Sequence, residues 1–142
     1  MAEISPSAVP GDEHFYRYLQ QQKREDVATA AGKASTSQAA FMAFVIEFPD
    51  DKDYRVLINS PIAFTIDSIT TKSSTGTCTL TGAINATALG GTANSVSTSE
   101  SEQTHTTDNA VAVGDDVVLT VSSNSGAENV SVTVKCTLAL SA

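Results

Sequence analysis

The sequence contains no tryptophan, and its aromatic content is limited to five phenylalanines and three tyrosines. None of these lies beyond Phe64. A core built by this chain is therefore filled by Val, Ile, Leu and Ala, which suits a sheet-packed interior. The second half also offers no aromatic platform on which a sugar or a base could stack. Positive charge is scarce too, because past Lys72 the only Lys or Arg is Lys135. With a net charge of −8 and a pI near 4.5, the chain is repelled by phosphate backbones, which argues against nucleic acid and anionic membrane as partners. No run approaches the roughly 20 apolar residues that a bilayer-spanning helix needs. Residues Met1 to Pro6 contain neither a basic nor an apolar leader region, so no secretory signal is expected and synthesis in the cytoplasm is.

Reactive side chains are equally sparse. The only histidines are His14 and His105, and no Gly-x-Ser-x-Gly elbow occurs. Nothing assembles into a nucleophile and its base, so no catalytic residue is assigned and an enzyme is not expected. No cofactor is implied either. The two cysteines, Cys78 and Cys136, begin as thiols if the chain is made in a reducing compartment.

What is present falls into three zones. Residues 1–12, with Pro6, Pro10 and Gly11, favour an extended arm. Asp12 and Glu13 supply an N-cap and first-turn acid signal for a short helix running on through Phe15, Tyr18, Leu19 and Gln22 toward Ala31, with Gly32 as its stop. Its apolar stripe is too short for the helix to fold alone. Residues 33–39 read as a linker. The expected division is a docking segment over residues 1–40 and a folded domain over 41–142.

The domain reads as strands. Phe41–Phe48 is one, stopped by Pro49 and the acidic Asp50-Asp51-Lys52-Asp53, and Tyr54–Ile58 is a second. Ile62, Phe64 and Ile66 alternate with Ala63, Thr65 and Asp67, the period of a half-buried strand. Lys72 to Gly76 turns the chain. Cys78, Leu80 and Ile84 continue the alternation, with Gly82 as an expected bulge. Residues 95–107 are almost all polar and fit either an exposed edge strand or a solvated loop. Val111 and Val113 resume the apolar signal, followed by a Gly114-Asp115-Asp116 turn, a strand with Val117, Leu119 and Val121 inward, and a turn at Asn124-Ser125-Gly126. The last strand is the clearest. Val130, Val132, Val134, Cys136, Leu138 and Leu140 share one face, and Ser131, Thr133, Lys135, Thr137 and Ala139 the other. With no βαβ alternation, the pattern predicts a mainly β fold: an antiparallel β-sandwich, jelly-roll-like, carrying an N-terminal extended arm and short helix.

Several blocks together resemble a known class of module. They are Ile66-Asp67-Ser68-Ile69, Gly76-Thr77-Cys78-Thr79, Gly90-Gly91-Thr92-Ala93, Ser95-Val96-Ser97, the stretch from Ala112 to Val121, and the stretch from Ala127 to Lys135. They cover about half the chain and resemble the β-sandwich module of small structural virion proteins of tailed bacteriophages, which serve as capsid decoration or as head or tail attachments. The resemblance lies in strand pattern and turn residues and carries no catalytic signature. It implies a structural protein located in the virion, with the major capsid protein or another virion protein as partner. It also implies a homo-oligomer, for which a trimer is the common form of such projecting modules.

Four residues stand out as docking anchors: Phe15, Tyr16, Tyr18 and Leu19. Either this helix packs on its own sandwich, or it docks on a partner or a sister subunit, where aromatic anchors carry much of the binding energy. Asp50, Asp51 and Asp53, and separately Asp115 and Asp116, fit polar turn chemistry better than calcium, since neither group has EF-hand spacing. Cys78 and Cys136 share inward parity, which leaves both reduced core thiols and a disulfide open. The leading expectation is a capsid decoration protein that binds the assembled shell through its N-terminal segment. The alternative is a neck or tail attachment module that binds a host surface glycan.

Overall fold

Alternating apolar and small polar residues favour strands over helices, and the computed structural model, which describes residues 36–140, contains strands and no helix in that range. The elements are β1 (Ser37–Ile46), β2 (Asp53–Leu57), β3 (Phe64–Lys72), β4 (Thr75–Ile84), β5 (Thr87–Ala88), β6 (Asn94–Val96), β7 (Ser101–Thr104), β8 (Ala110–Val111), β9 (Val117–Glu128) and β10 (Val130–Ala139). All strand pairs are antiparallel, and they nest. β4 pairs β5 and β6, β3 pairs β7 and β8, β2 pairs β9, and β1 pairs β10. Two further pairings, β10 with β3 and β9 with β4, complete two sheets. One runs β1-β10-β3 with β7 and β8 on the far side of β3; the other runs β2-β9-β4 with β5 and β6 on the far side of β4.

The core lies between the inner faces of these sheets. Ile66, Ile69, Val130, Val132 and Val134 of one sheet and Leu80, Val96, Val117, Leu119 and Val121 of the other are essentially inaccessible to water. As the composition implies, one aromatic ring, that of Phe64, belongs to the buried cluster, and Phe44 and Tyr54 pack against it part-buried. The inward rows read from β4, β9 and β10 are the rows observed, as far as Cys136; Leu138 is half-buried and Leu140 exposed.

The structure corrects several sequence expectations. Strand β1 begins at Ser37, within the stretch read as a linker. Ile62 and Val113 are exposed, because each falls in a loop just outside its strand. Those loops are tied together by Ser60 N donating to Asp115 O at 2.9 Å and Gly114 N donating to Ser60 O at 2.8 Å. Gly82 is not a bulge: it keeps regular register opposite Leu119. Its missing side chain instead admits Ile69 and Leu89, whose Cδ1 atoms lie 2.8 Å from where a Cβ would stand. The irregularity sits at the other end of β4, where Thr77 faces both Ser125 and Gly126. Gly76, at φ +64°, backs directly onto the Gly126 carbonyl there. For the same reason Asn124-Ser125-Gly126 is not a turn between strands. β9 runs on through this bulge to Glu128, and the chain reverses at Asn129, in the left-handed region at φ 49°. The expected N-terminal arm and helix lie outside the described residues.

Candidate functional site

Strand β1 is the outermost described strand of its sheet, and its ten residues pair residue by residue with β10. Its inward row, Met42, Phe44 and Ile46, packs part-buried against the core. Its outward row is Ala39, Phe41, Ala43 and Val45, all exposed. Phe41 is 70% and Val45 54% accessible, and Phe48, just past the strand, is 74% accessible. A short apolar row on the outside of a sheet is unusual, since outward positions ordinarily carry polar side chains. No charged residue occurs from Thr36 to Ile46.

Two depressions flank this row. On the inner side, a groove of about 230 Å³ is lined by Met42, Leu57, Pro61, Ile62, Phe64 and Leu138. It is the open mouth of the sandwich between β1 and the β2–β3 loop. On the outer face, a shallower hollow of about 530 Å³ lies beside Phe41 and is bordered by Asp67, Thr133 and Lys135. Its polar rim is internally matched. Thr137 Oγ1 donates to Asp67 Oδ2 at 2.6 Å, and Lys135 Nζ reaches Glu102 Oε1 at 2.7 Å. The Lys135 ammonium, aided by the Ser68 hydroxyl, holds the Glu102 carboxyl below its ordinary range.

The acidic loops are structural. Asp116 accepts from Arg55 Nη1 at 2.8 Å and from Asn59 N at 2.9 Å. Asp115 accepts from Ala112 N and from Asn85 Nδ2, each at 2.9 Å, and these bonds hold its carboxyl below the usual range. Asp51 caps Asn124 N at 3.0 Å, and Asp53 takes the Thr120 hydroxyl at 2.6 Å. The Asp115 bond to Ala112 N is local turn chemistry, and the other carboxylate bonds tie together segments far apart in the sequence. Among the described residues no group of three or more His, Cys, Asp or Glu is placed to hold a metal ion.

The remaining candidates divide in the same way. Cys78 and Cys136 are separate buried thiols. Burial raises both, Asp51 adding to the effect at Cys78 and Asp67 at Cys136, which is pushed up to about 11. His105, in the polar tract, is buried and ties its ring Nδ1 to Gly90 O at 2.8 Å. That tract resolves into the end of β6, a loop and the edge strand β7. The lining of a hollow of about 300 Å³ includes the amides of Asn85 and Asn109 beside Thr87 and Asp108. These amides are already engaged, Asn109 Nδ2 donating to Ile66 O at 2.8 Å and His105 O at 2.9 Å.

Phe15, Tyr16, Tyr18 and Leu19 lie outside the described residues. The exposure of the apolar row of β1 is not legible in the sequence, for a definable reason. An unbroken apolar run normally marks a strand buried on both faces, and only the sheet order reveals that this one is an edge. The missing charges from Thr36 to Ile46 were the available signal. Among the described residues no helix is long and apolar enough to cross a membrane. No protein-family model matches this chain, and neither does any curated protein.

Proposed function

We propose that this chain is a structural virion protein of a tailed phage, most specifically a capsid decoration protein that binds the assembled shell through its N-terminal segment. The observation that carries the reading is the exposed apolar row Phe41-Ala43-Val45 on β1, the strand that directly follows that segment in the sequence, with the exposed Phe48 just past its end. Exposed apolar surface of this kind marks an interaction site. The nested pairing of first strand with last, second with next to last, and so inward supports the jelly-roll form of the sandwich, an architecture used in viral capsid proteins. The blocks that resemble phage virion modules fall on β3, on β4, on the loop around Gly90 and Gly91, and on β6, β9 and β10, so the resemblance concerns the sandwich itself.

A protein that binds only the assembled state stabilises that state by mass action. The test uses particles lacking the native protein. The full chain, a variant lacking residues 1–32, and a Phe15/Tyr16/Tyr18/Leu19→Ala variant are each added, and bound protein is quantified. The expected result is saturating binding over the whole shell by the full chain and loss of binding by both variants. Unchanged binding by either variant would refute docking through the N-terminal segment. Binding confined to one ring at the neck or tail would favour the attachment role instead.

A further inference from the structure

We infer that β1 is a homodimer interface, in which two copies pair their β1 strands antiparallel across a two-fold axis at Ala43 and merge two sheets into one. The inference is independent of the virion reading and needs no partner other than this chain.

The two sheets have four edges, formed by β1, by β2, by β5 and β6, and by β7 and β8, and they differ in how they are guarded. Natural edges avoid unwanted pairing by being short or by carrying charge. β5 and β8 have two residues each and β6 three. β7 has four and carries Glu102, and β2 has five and carries Asp53 and Arg55. β1 has ten residues, no charge, no proline, and apolar side chains on both faces. No other described strand lies along its far edge.

The self-matching pattern of β1 selects a second copy as the occupant, and the absence of charge on this edge permits it. Two chains of net charge −8 repel wherever acidic surfaces meet. The one long edge on which they can approach without that cost is the uncharged one. The side-chain pattern also fits itself. Opposed residues in an antiparallel pair lie on the same face of the sheet, so a two-fold through Ala43 sets Phe41 against the second copy's Val45, and Ala43 against Ala43. On the inner face it sets Met42 against Phe44 and Ala40 against Ile46. Next to the axis, large groups therefore meet large on both faces, and Ala43 meets its own copy. The first acidic residue, Glu47, falls opposite Ala39, so no like charges meet. The exposed row Phe41-Ala43-Val45 becomes one continuous apolar band across the joined sheets.

The experiment uses the purified full chain and two substitutions at the exposed Ala43, where neither disturbs the core. Mass in solution is measured by light scattering over a dilution series. Ala43→Cys is oxidised without added cross-linker and compared with Thr87→Cys, an exposed position on β5. The expected results are a species of twice the 14.7 kDa chain mass, rapid disulfide-linked dimer from Ala43→Cys but not from Thr87→Cys, and at least about tenfold weaker association for Ala43→Glu, which places two carboxylates face to face. A monomer at all concentrations would overturn the inference, and so would an Ala43→Glu variant that associates normally. A trimer without the Ala43→Cys link would do the same, because a three-fold axis does not pair two β1 strands antiparallel with each other.

Discussion

Strands β1 and β10 lie side by side over ten paired residues, yet their outward rows differ completely. Across the pairs, Ala39 stands beside Thr137, Phe41 beside Lys135, Ala43 beside Thr133 and Val45 beside Ser131. On β10 the outward side chains are polar, and the inward Val130, Val132 and Val134 are fully buried. This strand meets water on one face and core on the other. On β1 both rows are apolar, and the inward one is only half-buried. The difference separates two demands on an apolar side chain. On β10 it holds the sandwich together; on the outside of β1 it contributes little to the fold and is available for association.

One charge placed in each row should separate the two strands most strongly. Val132→Asp puts an unpaired carboxylate in the core and is expected to cost more than about 4 kcal/mol, enough to prevent folding. Val45→Asp, studied at low concentration, is expected to stay within about 0.5 kcal/mol of the parent. Cooperative thermal melts distinguish them, and a well-folded Val132→Asp or an unfolded Val45→Asp would show that the faces are misassigned. Truncation grades the same contrast. Leu80→Ala should cost about 2–5 kcal/mol by leaving a cavity. Met42→Ala, at a half-buried site on β1, should cost about 1–2 kcal/mol. Equal losses in urea titration would mean that β1 is as integral to the core as β4.

Smaller effects come from titrating groups. With Cys136 pushed up to about 11 and Cys78 raised by burial, both thiols should resist a thiol-specific dye at pH 8 in the native protein. Both should react fully in denaturant. Fast labelling of Cys136 in the folded state would show that the sheet opens at β1. Asp115 gives the smallest effect. Its folded-state pKa is lowered by the Ala112 amide and Asn85, so its contribution is present above the unfolded pKa and is lost as pH falls through the folded value. Asp115→Asn should therefore melt below the parent at pH 7, and the gap should close in acid, below the ordinary aspartate range. A gap that persists at the lowest pH at which the protein still folds would assign the effect to packing.

The parts legible in the sequence were those governed by local periodicity. The strict alternation of β10 from Val130 to Cys136, and of β9 from Val117 to Val121, is a consequence of strand geometry, so burial could be read directly from the residues. The turn carboxylate Asp115 was likewise recognisable, because one of its bonds reaches the Ala112 amide three residues back, whereas the partners of Asp116, Arg55 and Asn59, are brought to it only by the fold. Ile62, Val113 and Leu140 were not, since each continues an apolar alternation past the end of its strand, and strand ends are set by what the neighbouring chain pairs with. Gly82 had the signature of a bulge, but its role is set by Ile69 of the opposite sheet. The exposure of Phe41 and Val45 was least legible of all. The sequence by itself determined that residues 37–46 form an apolar, uncharged strand. Only the tertiary structure decided that this strand lies at an edge, with one face and one side uncovered by any other described strand, because strand order is a matter of long-range pairing that no local pattern encodes.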